Sequence, residues 1–253
     1  MVSGYRKNDT IKRGYKYATI TLAGDLAPIV LGVEPVKENS KWEKNNAPSY
    51  SKAEMVDRLL TKAEEFVNLD EVYLDRGFHS KEVYAAIDDR GITYKTPVPR
   101  YEEDLTAIEN VKEHPIADAA VLHDLPVAVD GEVHHTAEYP YVPSSEKNGK
   151  YTVFITNRNR VETHEIESVC SKYKRRWDIK NQYKSIGECF PRTSSKDYRV
   201  RFYNLVLTTL MYNFWRPTDY LIKAGRDIEI RSPPEIGFKT FVRAFGNFLR
   251  DID

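Results

Sequence analysis

The sequence predicts an α/β protein: a mixed sheet with helices on its faces. Two observations carry that expectation. Runs rich in β-branched and aromatic residues alternate with amphipathic helical segments over the first hundred positions. A further strand-like run at 150–156 then precedes two long helical segments. A hairpin followed by helix, strand, helix and strand places a mixed sheet beneath helices.

Positions 1–14 (MVSGYRKNDTIKRG) are polar and read as strandless. Positions 15–22 (YKYATITL) and 28–36 (PIVLGVEPV) read as two strands joined by Ala-Gly-Asp-Leu-Ala, a hairpin connection. Ser51 followed by Glu54 is a capping box, and Met55, Leu59, Ala63 and Phe66 recur behind it at helical spacing. Positions 71–75 (EVYLD) form a short apolar strand. A second helix opens at Ser80 and stops at Gly91. Positions 92–98 (ITYKTPV) give another strand, placed by its prolines near an edge or an end.

From Pro99 to Gly149 the composition turns acidic and proline-bearing, and a short hairpin is expected around 127–134 through Asp130-Gly131. That stretch reads as an insertion. Positions 150–156 (KYTVFIT) return to strand. One helical stretch follows from about 163 to 188, and another from about 198 to 215. The second carries an apolar stripe of Phe202, Leu205, Val206, Thr209, Leu210 and Phe214, with Pro217 near its end. A Ser-Pro-Pro break and a short amphipathic segment finish the chain. The expected parts are thus 1–98 and 150–225 as two halves of one core, 99–149 as the acidic insertion and 226–253 as a tail.

Formal net charge is zero, so global charge does not point to nucleic acid. Its distribution does. Positions 101–147 hold eleven acids against two bases, whereas 172–201 hold ten bases against three acids. A basic stretch beside an acidic block predicts a polyanion-facing surface on one part only. Cys170 and Cys189 sit in no metal-ligand spacing, and no apolar leader or span is present. Two reduced thiols and a cytoplasmic, nucleoid-associated location are expected.

Several positions bear chemistry. Asp75 ends a strand and is followed by Arg-Gly-Phe. A carboxylate there, with Gly77 permitting a tight turn, is placed to meet a divalent cation in a cleft. His79 follows that turn and either lines the same cleft or lies on the surface. His134 and His135, with Glu132 or Glu138, are a weak metal candidate, because adjacent strand residues point to opposite faces. Asn157-Arg158-Asn159-Arg160 reads as a turn.

Residues 173–190 read YKRRWDIKNQYKSIGECF, a basic helical segment with interleaved aromatics. Such a pattern can neutralise phosphates and stack on unpaired bases. The candidates are Tyr173, Arg175, Arg176, Trp177 and Lys184, joined by Arg199 further on. With LDRGF at 74–78 and FYNLVLTTLMYNFWR at 202–216, this segment resembles IS4-type DDE transposases over roughly 14–215. Their C-terminal signature sets a Tyr, an Arg, a catalytic Glu and a Lys at spacings of three, four and seven. Tyr173 and Arg176 match it, while Lys180 stands at the Glu position and Gly187 at the Lys position.

The resemblance implies an RNase H-like core, an insertion before the last catalytic helix, and Mg²⁺-dependent cleavage and transfer at insertion-element ends. It implies Asp75 as catalytic metal ligand and DNA ends as partner, and it allows a homodimer. Asp9 and Asp25 match neither the place nor the context of the first catalytic Asp, whose strand is expected to be missing. Lys180 replaces an anion by a cation. Glu188 lies about 12 Å along the helix and 80° round it, and Asp178 about 160° round, so neither substitutes. Impaired catalysis is expected, the alternatives being a DNA-binding relic or a decaying fragment.

Overall fold

The computed structural model describes residues 2–7, 10–23, 28–36, 50–99, 106, 108–109, 119–143, 151–166, 168, 173 and 176–251, with the backbone alone for 2–7, 10–14 and 176–178. Asp9, Asp25 and Arg175 lie outside these. The chain packs as two compact units, Ser49–Lys174 and Met1–Pro48 with Arg175–Asp253. The first is a sheet unit and the second is largely helical.

The sheet unit has the expected α/β character. Its strands are β5 (Glu71–Tyr73), β6 (Thr93–Pro97), β7 (Ala120–Val129), β8 (Glu132–Pro143) and β9 (Tyr151–Thr156). Their spatial order is β5-β6-β9-β8-β7. The pair β5–β6 is parallel and every other pair is antiparallel, which makes the sheet mixed. Helices α1 (Lys52–Glu64) and α2 (Lys81–Asp88) supply the apolar faces that cover it. Met55, Leu59 and Leu60 of α1 and Val83, Tyr84 and Ile87 of α2 are buried beside Tyr94, Val153 and Ile155 of the strands.

The caps explain where these helices begin. The Ser51 hydroxyl accepts from the Glu54 N–H at 3.1 Å and the Glu54 carboxylate accepts from the Ser51 N–H at 2.7 Å. The Ser51 N–H, and after it the Ser51 hydroxyl, hold the Glu54 carboxyl below its ordinary pKa. Gly91, with φ +67, closes the loop after α2 in the left-handed region that favours glycine. Phe66 departs from the expected stripe: α1 stops at Glu64, and the ring is 68% exposed. Of the edge or end position expected for β6, the strand end holds and the sheet edge does not. β6 lies inside the sheet, and Pro97 is tolerated because it is the last paired residue, opposite Phe154.

The hairpin at Asp130-Gly131 is far longer than expected. Both turn residues have positive φ, 50° and 89°, as a two-residue hairpin turn of right-handed twist demands. The strands it joins span 120–143, and β8 pairs with β9 as a full member of the sheet.

In the helical unit, β3 (Lys16–Leu22) and β4 (Ile29–Val36) form the expected antiparallel hairpin. The polar N-terminus, read as strandless, instead forms a second hairpin, β1 (Val2–Lys7) with β2 (Thr10–Gly14). The helices are α3 (Arg176–Cys189), α4 (Tyr198–Gly225) and α5 (Phe238–Arg250). Their core gathers Val30, Ile186, Leu205, Tyr212, Trp215 and Phe238.

Helix α4 runs well past Pro217, contrary to expectation. The Asp219–Lys223 pair, 3.2 Å apart and fully buried, anchors the extra turns. Lys223 Nζ also donates to the carbonyls of Ile230 and Ser232, while Asp219 accepts from the Glu235 N–H. The following loop is thereby bound to the helix. The buried face is rotated from the expected stripe: Leu205 and Thr209 are buried, but Val206, Leu210 and Phe214 are exposed. Tyr212 and Trp215 take the inner face because α5 offers them Phe238, and the indole N–H donates to the Ile236 carbonyl.

Candidate functional site

Asp75 stands two residues beyond β5, after Leu74, whose N–H still donates to the Lys95 carbonyl at 2.9 Å. The chain then makes a 3₁₀ turn at Arg76–Phe78, and the Asp75 carbonyl accepts from the Phe78 N–H at 2.8 Å. Asp75 is exposed. The turn does not require glycine: a Cβ on Gly77 would meet nothing within 4 Å, and its φ is outside the left-handed region.

Tyr173 packs just behind this position. Its ring meets Phe154 edge-on at 5.1 Å and Tyr73 at 6.4 Å, and its hydroxyl donates to the Leu74 carbonyl at 3.4 Å. It braces the strand end that carries Asp75. His79, half-buried, meets the Tyr84 hydroxyl through Nδ1 at 2.7 Å. Burial, then the Lys52 and Arg76 cations, keeps its imidazole below the ordinary histidine pKa.

The basic signature segment is helical from Arg176 onward. One face of α3 is turned inward. Ile186 joins the core, and buried Gln182 accepts from the Thr21 hydroxyl at 3.4 Å through its side-chain oxygen. Tyr183 is bonded through its hydroxyl to Thr19 at 2.5 Å. Lys180, Lys184 and Gly187 lie on the exposed side. At the start of α4, Arg199 is 71% exposed and pairs with the capping Asp197 at 2.7 Å. The side chains of Arg176 and Trp177 lie outside the description.

The weak candidate pair His134 and His135 does come together, with Asp88 rather than Glu132 or Glu138. Val127 is opposite His135 and Ala128 is opposite Val133, so His134 is an extra residue on β8. This bulge breaks the strict alternation of faces. The two Nδ1 atoms consequently lie 2.9 Å apart. Asp88, the last residue of α2, joins them as the third possible ligand. Among the described residues this is the one group of three such donors, and Asp75 is not part of it. Glu138, the other partner considered, is elsewhere: it accepts from the backbone N–H groups of Asp124 and Val161 and is paired with His123. The participation of Asp88 left no signal in the sequence beyond the His-His dipeptide.

No family model and no curated protein matches the sequence. A solved structure does resemble the fold, a cryo-EM structure of a piggyBac transposase synaptic complex with hairpin DNA. The TM-score is 0.52 at 8% identity, over 93% of this chain and 52% of that one. This chain therefore spans about half the length of the transposase that it resembles. The likeness is one of fold, a mixed five-stranded sheet flanked by helices. Among the described residues no helix is long and apolar enough to cross a membrane.

Proposed function

We propose that this chain is a transposition-related protein of IS4 type that binds DNA at insertion-element ends and has lost strand cleavage. The observation that supports it most is the likeness of its fold to a transposase structure solved with hairpin DNA. The finer IS4 assignment rests on LDRGF and on the 173–190 segment. DNA is engaged by the outward face of α3 and the start of α4, where Lys180, Lys184 and Arg199 are exposed. Arg175, Arg176 and Trp177, which precede it in sequence, are further candidates for DNA contact. Tyr173 braces the strand end at Leu74 rather than stacking on a base.

The Mg²⁺ chemistry of such enzymes needs several carboxylates around two ions. The residues aligned with those ligands do not fit: Asp75 supplies one carboxylate, and Lys180 supplies a cation. One carboxylate cannot hold two hard cations against water. No cleavage step is therefore assigned to this chain, and binding without cleavage is its expected behaviour.

Two measurements on the full chain test the proposal. Binding to DNA carrying the element's ends should weaken steeply with salt. Replacing Lys180, Lys184 and Arg199 by Gln should flatten that dependence by about 0.9 in log–log slope for each phosphate contact removed. Unchanged affinity and slope would overturn the DNA interface. In a nicking assay with Mg²⁺ or Mn²⁺, the intact DNA should persist, and end-specific nicking would overturn the loss of cleavage.

A further inference from the structure

The Asp88–His134–His135 group has the geometry of a coordination site, and it stands independently of the DNA reading. The two imidazole Nδ1 atoms are 2.9 Å apart, and Asp88 Oδ2 lies 3.8 Å from that of His134 and 3.7 Å from that of His135. A circle through three points with those separations has a radius of about 2.0 Å. Zinc bonds to imidazole nitrogen and carboxylate oxygen are about 2.0–2.2 Å long. A single ion at the centre of the triangle thus reaches all three atoms without rearrangement of the backbone.

The atoms around the triangle aim these ligands inward. His134 Nε2 faces Asp89 Oδ1 at 3.0 Å. An ionised carboxylate only accepts, so that nitrogen carries the proton and the lone pair is left on Nδ1. His135 Nε2 meets the Tyr94 hydroxyl at 2.8 Å. Asn157 donates to Asp88 Oδ1 at 2.8 Å, which leaves Oδ2 toward the histidines. Outer partners of this kind fix tautomer and ring orientation at metal sites.

Asn157 is itself held, accepting from the Tyr94 N–H at 2.8 Å and donating to the Ile92 carbonyl at 3.1 Å. Tyr94 stacks on Tyr84 with ring centres 4.6 Å apart. The outer shell is therefore built on the core of the sheet unit.

We propose that Asp88, His134 and His135 bind one divalent transition ion of the zinc class, with a fourth position open to solvent. Two imidazoles and one carboxylate suit Zn²⁺, Co²⁺ or Ni²⁺ and disfavour Mg²⁺, which takes oxygen ligands. The side chains of Asp88 and His134 are 30% and 28% exposed, which gives the ion a way in. The bound ion ties the C-terminal end of α2 to the bulge of β8. It is a staple within the sheet unit and is separate from Asp75.

The test uses the full chain without a histidine tag, stripped with chelator and titrated with Co²⁺, then Zn²⁺. One equivalent of Co²⁺ should bind with visible ligand-field absorption, Zn²⁺ should displace it, and excess Mg²⁺ should not. Zn²⁺ should raise the thermal midpoint. His134→Gln with His135→Gln should abolish binding and that rise. Asp89→Asn, at an exposed position, should keep the fold and weaken binding 10–100-fold. Absence of Co²⁺ binding by the folded wild-type chain overturns the proposal, as does binding that the double substitution leaves intact.

Discussion

Asp75 and Asp88 flank the same helix and differ in almost everything that decides whether a carboxylate holds a metal. Asp75 lies between β5 and α2, in the motif that a reader of sequences would choose, and it belongs to no group of three donors among the described residues. Asp88 ends α2 with no motif to mark it. Yet one of its oxygens is fixed by Asn157 and the other faces two imidazoles. Ancestry is written in linear spacing, whereas a coordination sphere is assembled by tertiary structure. The two need not coincide in one chain.

The sharpest way to break this contrast is to remove each carboxylate separately. Asp88→Ala should lower Co²⁺ affinity more than 100-fold, beyond the 10–100-fold usual for outer partners. Asp75→Ala should leave the titration unchanged. Equal losses would mean that the motif carboxylate shares the ion, and no loss in either would dissolve the comparison.

The same division between inherited pattern and built contact runs through α3. Ile186 is 3% exposed in the helical unit's core, while Lys184 two residues earlier faces solvent. Ile186→Ala should cost about 2–5 kcal/mol, the usual range for a large aliphatic side chain in a packed core. Lys184→Ala should change stability by less than about 0.5 kcal/mol and act on DNA affinity alone. Urea midpoints beside binding isotherms separate the two. A destabilised Lys184 variant would place the signature face inside the fold.

What the sequence made legible follows from which signals are local. The capping box at Ser51 and the Asp130-Gly131 turn depend on neighbours a few residues away, and both were readable, whereas the strands that the turn joins run well beyond the expected 127–134. The length of α4 was not, because the residues that carry it past Pro217 are Asp219 and Lys223, bonded to a loop seven to sixteen positions on. Its buried face was misjudged for a related reason: Trp215 and Tyr212 win the inner side only once Phe238 is in place. His134 and His135 were misjudged through a rule that is correct for regular strands. A bulge suspends that rule, and a bulge is a property of the pair of strands rather than of either one.

The smallest expected effect concerns Gly187, where the family resemblance expects a Lys. A Cβ there would meet nothing within 4 Å, so alanine adds helix propensity without strain. Gly187→Ala should therefore stabilise the chain by about 0.5–1 kcal/mol and leave DNA binding unchanged. Gly187→Lys restores the residue type that the family resemblance expects, on the side that already presents Lys180 and Lys184. It should tighten DNA binding and steepen the salt dependence by about 0.9 in slope if it reaches one further phosphate. A gain in stability without a gain in DNA affinity would mean that this face folds as an exposed helix surface but no longer meets the DNA. A loss of stability in the alanine variant would mean that position 187 is not on an open face at all.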